Sequence, residues 1–157
     1  MQLSTDEILG APGFLIRRCQ QIATAIFLEE AAEFDFSPTQ YAALAFIHLQ
    51  SGLDQSTLGE RIACDRSSVT KCVERLEERN LIRREISPVD KRARLLYSTP
   101  DGAAMLEKLV VAARRSQARV AAPLGEEQSK KLFKLLKELG DALNDSSRAP
   151  VTGDAGP

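Results

Sequence analysis

In Asp65-Arg66-Ser67-Ser68-Val69-Thr70-Lys71-Cys72-Val73-Glu74-Arg75-Leu76-Glu77-Glu78-Arg79-Asn80, an apolar stripe and a run of donors overlap on one predicted helix. Val69, Cys72, Val73 and Leu76 stand at i, i+3, i+4 and i+7, so one face of a helix over 66–79 packs inward. Asp65 precedes it as an N-cap whose carboxylate accepts from the unpaired amides of the first turn. The opposite face carries Arg66, Ser67, Ser68, Thr70, Lys71 and Arg75, all cations or hydroxyls. An apolar back with a donor-rich front fits the DNA major groove, which admits one α-helix and displays base-edge acceptors. Taken alone, the same pattern describes an ordinary surface helix with a solvated face. The flanking residues decide between the two.

Upstream, Gln55-Ser56-Thr57-Leu58-Gly59-Glu60-Arg61-Ile62-Ala63 reads as a short helix with Leu58 and Ile62 as its apolar pair. The tight connection Cys64-Asp65 then makes a helix-turn-helix. Gly59, lacking a Cβ, lets the two helices approach closely. Downstream, Leu81–Ile86 and Arg94–Ser98 read as two strands joined by the polar turn Ser87-Pro88-Val89-Asp90-Lys91-Arg92-Ala93. From Leu81 to Arg94 there are five Lys/Arg against two acids. An arginine-tipped hairpin beside such a helix can reach a narrow minor groove, whose negative potential attracts guanidinium. Helix pair plus basic hairpin is a winged helix-turn-helix. The fold class expected is mainly α with a small β-hairpin wing.

The chain has 157 residues, 43% of them hydrophobic and 27% charged, enough to build a core in one domain with helical extensions. It has no apolar run of 18 residues, so no membrane contact is expected, and its N-terminus has neither a basic nor an apolar leader segment. Three cysteines without metal-ligand spacing suit a reduced, cytoplasmic protein. The net charge of −1 argues at first against a nucleic-acid partner. However, residues 1–36 carry a net −4 and residues 54–94 a net +2, and phosphate affinity follows the local patch.

In order, residues 1–10 read as loose. A helix then runs from Pro12 to about Ala32 on Leu15, Cys19, Ile22 and Ile26. Ser37 and Pro38 start the next, which stops at Ser51-Gly52. After the wing, Thr99-Pro100-Asp101-Gly102 caps a helix to Ala121 or Ala122. Glu126–Leu143 forms a last helix on Leu132, Leu135, Leu136, Leu139 and Leu143. Residues 37–102 are thus the winged DNA-binding domain. Residues 10–36 with 103–143 are helices for dimerisation, and 144–157, rich in Ser, Pro, Gly and Asp, read as a disordered tail. The winged module does not need the last leucine-striped helix for its own core. A homodimer is expected, matching a pseudo-palindromic double-stranded operator; the alternative is an intramolecular bundle.

Over about residues 10–143 the sequence resembles the MarR family of bacterial regulators. The resemblance is carried by Ser37-Pro38-Thr39-Gln40-Tyr41, by Thr57-Leu58-Gly59-Glu60-Arg61, by Asp65 to Thr70 and by Arg75 to Arg84. The most specific part is Asp90-Lys91-Arg92-Ala93-Arg94-Leu95 with Thr99-Pro100-Asp101-Gly102. It implies homodimeric transcription factors, mostly repressors, that release operator DNA when a small aromatic ligand binds between the dimer helices and the DNA lobe. By the matching motif Arg92 is the minor-groove residue at the wing tip, with Lys91 and Arg94 beside it, and Asp90 orients a nearby arginine. Gln55, Ser56, Arg66, Ser67, Ser68, Thr70, Lys71 and Arg75 are the remaining expected DNA contacts. Two departures stand out: Ser98 where the family usually has leucine, and Asn80 where it usually has glycine, a position Asn also tolerates.

Pro12-Gly13-Phe14-Leu15-Ile16-Arg17-Arg18 resembles members governing aromatic-acid catabolism. Guanidinium beside aromatic and aliphatic side chains suits an aryl carboxylate. Phe14, Arg17, Arg18, Ile22, Tyr41 and His48 are therefore the expected effector-binding residues. An aryl-CoA thioester is a variant, its phosphates meeting Arg114, Arg115 and Arg119. The plainer alternative pairs Arg17 and Arg18 with acids at a dimer contact. A peroxide-sensing repressor using Cys19 is the competing functional reading, although Cys19 lies on the apolar stripe. With one histidine and no nucleophile–base pair, phosphate loop or metal spacing, no enzyme, catalytic residue, metal or cofactor is expected.

Overall fold

The computed structural model describes residues 4–152. In chain order the helices and strands are α1 (Thr5–Leu9), α2 (Pro12–Glu30), α3 (Pro38–Leu49), β1 (Leu53–Asp54), α4 (Gln55–Arg61), α5 (Arg66–Glu78), β2 (Ile82–Ile86), β3 (Arg94–Ser98), α6 (Pro100–Ala121) and α7 (Gly125–Ala142). Single 3-10 turns lie at Ala32–Phe34, Ala122–Leu124 and Asn144–Ser146. Local chemistry explains where these elements start. Ser37 and Gln40 form a reciprocal capping box on α3, and Asp54, Asp65 and Thr99 each accept from a first-turn amide of α4, α5 and α6.

α3 lies at the centre. Its Ala43, Leu44 and Ile47 are fully buried in one cluster with Leu58, Val69, Val73, Leu76, Leu96 and Leu109. The sheet has strand order β1-β3-β2, all antiparallel, with Leu96 opposite both Leu53 and Arg84. β1, two residues long, has too little pattern to be read from sequence. α6 runs from the wing back along α2 and α3, joining the winged module to the helical region.

The helix-turn-helix is built as its residues predict. Val69, Cys72, Val73 and Leu76 are the buried residues of α5. A Cβ on Gly59 would sit 3.1 Å from the Cys64 carbonyl oxygen and 3.2 Å from Val69 Cγ2, so its absence is what allows the close crossing of α4 and α5. Asn80 has φ +56° and turns the chain from α5 into β2.

Several expectations need correction. Residues 4–10 are not loose: Ser4 and Glu7 make a capping box that starts α1, while residues 1–3 lie outside the described residues. The tail is not featureless over 144–152, where Asn144–Ser146 form a turn and Thr152 meets α4; residues 153–157 lie outside the described residues. The stripe of α2 is only partly inward. Phe27 is buried, but Leu15, Cys19 and Ile22 are exposed, because α6 covers a different face. The leucines of α7 are likewise exposed.

The helix-turn-helix corner carries a local strain. Ala63, exposed, holds φ +52° while the Cys64 amide donates to the Gly59 carbonyl at 3.0 Å. A left-handed alanine costs about 1–2 kcal/mol that glycine avoids. Ala63→Gly should raise stability by about 1 kcal/mol net of its greater unfolded-state entropy, read as an upward shift of the urea midpoint.

Candidate nucleic-acid interface

The N-terminal half of α5, the N-terminus of α4 and the wing tip enclose one cleft of about 540 Å³. Of the expected DNA contacts, Gln55, Ser56, Arg66, Thr70, Arg92 and Arg94 line it. Ser67, Ser68, Lys71 and Lys91 stand on the same two elements, α5 and the wing turn, without lining the cleft. Residues drawn from three sequence segments thus share one surface.

Hydrogen bonding sorts these side chains by what they can still offer. Ser67 Oγ donates to Asp65 at 2.9 Å and Ser68 Oγ at 2.8 Å, and Thr70 Oγ1 donates to the Arg66 carbonyl at 2.9 Å. The three hydroxyls therefore present lone pairs outward, as acceptors. Among the described residues Arg66, Lys71, Lys91 and Arg92 have no acidic side chain within 4 Å, and these supply the free positive charge. Gln55 adds a buried amide nitrogen that has no hydrogen-bond partner among the described residues, at the start of α4.

The wing tip is preformed. Buried Ser87 accepts from the Val89 and Asp90 amides at 3.3 and 3.2 Å, and the Ala93 amide donates to the Asp90 carbonyl at 2.9 Å. Asp90 accepts from the Arg92 backbone amide at 2.9 Å. This corrects the expectation that Asp90 orients an arginine side chain. It folds the turn, leaving the Arg92 guanidinium exposed. Arg94 donates to the Lys91 carbonyl at 3.2 Å. At the base of the hairpin Arg83 pairs with Glu85 and Arg84 with Glu77, so the free positive charge of the hairpin is confined to its tip.

Arg75 also needs correction. Its guanidinium lies 2.6 Å from Asp35, and Arg79 donates to the Phe34 and Asp35 carbonyls at 2.9 and 3.1 Å while stacking over Phe36. Both arginines pin the far end of α5 to the α2–α3 connection. Arg75 stands nine residues beyond Arg66, roughly 13 Å along the axis, beyond the end that faces the cleft.

None of the expected effector residues lines this cleft. Phe14 is half-buried under Arg17, whose guanidinium sits 5.2 Å from the ring and donates to Gln21 at 3.2 Å. Arg18, Ile22 and His48 are exposed, and Tyr41 packs its ring 5.7 Å from that of Phe27. His48 lies in the last turn of α3, seven residues and about 10 Å along the axis from Tyr41. Arg119 is engaged by Glu29 and Glu30, both at 2.8 Å, and is not available to phosphates. Cys64 and Cys72 have raised thiol pKa values through burial, Cys72 to about 11, which keeps both protonated at neutral pH.

Comparison with known proteins identifies this arrangement. Residues 36–93 match the MarR family. A Thauera aromatica protein named as a transcriptional regulator for the hcr operon is 34% identical over 139 residues, covering 88% of this chain and 84% of that one. The chain belongs to the MarR family. Among solved structures, PcaV of Streptomyces coelicolor in complex with its natural ligand shares 33% identity and a TM-score of 0.82, over 90% of this MarR-family chain and 99% of that chain. A Bordetella bronchiseptica structure, described as the mechanism by which 6-hydroxynicotinic acid regulates DNA binding of BpsR, shares 26% identity and a TM-score of 0.81. It covers 90% of this chain and 99% of that one. The chain is a MarR-family transcriptional regulator with a winged-helix fold.

One cleft residue missed by the sequence reading is Arg148, which lines the same opening from the C-terminal segment. Composition there pointed to disorder, and no local periodicity places it. The cap of α5 is open to test through pH. The Ser68 amide first, then the Ser68 and Ser67 hydroxyls, hold the Asp65 carboxyl down to about 2. A depressed carboxylate stabilises the fold above its unfolded value and loses that effect as pH falls through the folded value. The stability gap between the parent protein and Asp65→Ala should be full at pH 5 and shrink steadily towards pH 2, measured by urea titration at each pH.

Proposed function

We propose that this chain is a homodimeric repressor of operator DNA, released by a small aromatic carboxylate. The observation that carries the reading is the set of guanidiniums without acidic partners, Arg66 and Arg92, on two elements facing one cleft. In this reading residues 37–102 read DNA, with α5 in the major groove and Arg92 of the wing in the minor groove. Gln55 and Ser56 at the start of α4, together with Lys71 and Lys91, hold backbone phosphates. Ser67, Ser68 and Thr70 meet base-edge amino donors. Its place of action is the cytoplasm, where the DNA lies.

Residues 10–36 and 103–143 form the dimer contact. Leu132, Phe133, Leu135, Leu136 and Leu139 of α7 are 37–52% exposed, a contiguous apolar face of the kind that marks an interface. A pseudo-palindromic operator follows from the twofold symmetry of such a dimer.

For the effector, Arg17 and Arg18 have no acid within 4 Å among the described residues of the chain, which leaves both guanidiniums open to an external carboxylate, the alternative being an acid across the dimer contact. BpsR, whose DNA binding is regulated by a heteroaromatic acid, supports the same class. The free acid is the simpler assignment: of the three arginines expected to meet CoA phosphates, Arg119 is held by Glu29 and Glu30, and Arg114 and Arg115 have no acid within 4 Å among the described residues. No observation favours a redox switch at Cys19.

Two measurements check this. In gel shifts with the intergenic DNA beside its gene, Arg92→Ala should weaken binding on the order of tenfold, with a shallower salt dependence. Aromatic acids titrated against the operator complex should release it at lower concentration than their CoA thioesters, and Arg17→Ala should blunt release while leaving DNA affinity intact. Release by neither class would retire the effector assignment.

A further inference from the structure

The segment after α7 folds back onto the helix-turn-helix. The Asn144 side chain clasps Val151 twice, donating to its carbonyl at 3.1 Å and accepting from its amide at 2.8 Å. Ser147 Oγ accepts from the Ala149 amide at 3.1 Å. Arg61 of α4 donates to the Thr152 carbonyl at 2.8 Å, and the Thr152 hydroxyl donates to Glu60. A strap of residues 144–152 is thus closed on itself and pinned to α4, and it brings Arg148, Ala149 and Pro150 into the wall of the DNA-facing cleft.

We propose that this strap is part of the DNA-binding surface and that Arg148 contacts an operator phosphate. The inference rests on the cleft being the DNA-binding face. The placement of the charges in the cleft supports it. Its four acids are tied down by hydrogen bonds, none of them to an arginine side chain of the cleft: Asp54 accepts from the Thr57 amide, Asp65 from the Ser68 amide and two hydroxyls, Asp90 from the Arg92 amide, and Glu60 from Thr152. Arg148 has no acidic side chain within 4 Å among the described residues, so its charge faces the same opening as Arg66 and Arg92. None of the bonds that hold the strap uses the Arg148 side chain, which makes it dispensable for the strap's own geometry. A half-buried alanine and proline hold it at the wall of the cleft, which stays open beside them.

Fluorescence anisotropy of the full chain on operator and on unrelated duplex, across about a fourfold salt range, tests this. Arg148→Ala should raise Kd roughly threefold to tenfold on both duplexes, because a phosphate contact carries no sequence information. It should also lower the slope of log Kd against log salt by ~0.9, the release of one counterion. Arg148→Lys should keep most of the affinity, and truncation after Leu143 should match or exceed the loss in Arg148→Ala. Unchanged Kd and slope in Arg148→Ala, with Arg92→Ala weakening binding, would overturn the strap assignment alone. Tighter binding on truncation would overturn it too, since the strap would then cover the cleft. If Arg92→Ala also has no effect, the placement of DNA in the cleft itself falls.

Discussion

Burial of the back of α5 is the constraint on which the functional surface depends. Val69, Val73 and Leu76 are at most 2% exposed and pack on α3 and α4, each contributing about 1.5–3 kcal/mol by removal from water. The exposed Arg75–Asp35 pair at the other end adds about 1 kcal/mol at most. Apolar packing therefore sets where the helix lies, and the polar bonds set how it is finished. With the back held, Asp65 caps the end that faces the cleft. Asn80 turns the chain, the Leu81 amide donates to the Leu76 carbonyl, and Thr99 Oγ1 donates to the Asn80 carbonyl. The wing and α6 thus leave from one point at the end of α5, so the tip arginines sit at a fixed offset from Arg66.

Electrostatics follow from this geometry and not from composition. A chain with a net charge of −1 still presents guanidiniums without an acidic partner among the described residues at the cleft, because folding decides which charges are paired. Arg83, Arg84, Arg75 and Arg119 each meet a carboxylate, and so lose their pull on distant phosphates. Arg66, Lys71, Lys91, Arg92 and Arg148 meet none among the described residues. The carboxylates in the cleft accept from amides and hydroxyls, Asp54, Asp65 and Asp90 from their own turns and Glu60 from Thr152.

The helical region tells a different story. α2 packs along α6 by Phe27 and Ala31, yet Leu15, Ile16 and Ile22 remain open, as does the leucine face of α7. Apolar area of that extent is left unburied by the single chain, and the groups assigned to effector binding lie on or next to it. Phe14 and Arg17 form a stacked pair on this open side, while Tyr41 turns inward against Phe27.

The sequence by itself determined the local elements and their order. Periodicity at 69, 72, 73 and 76, the caps at Asp65, Ser37 and Thr99, the space left at Gly59 and the turn at Asn80 are short-range signals, each acting within a turn or two of backbone. It equally specified the wing, because strand alternation and turn residues are local. Only the tertiary structure decided which arginines are neutralised, that Asp90 folds the turn instead of steering a guanidinium, and that Arg75 serves the α2–α3 connection. It alone added β1 to the sheet and brought Arg148 to the cleft from more than 50 residues away in the chain. Those facts depend on pairings between distant residues, and a pairing of that kind leaves no periodic trace in either of the segments that make it.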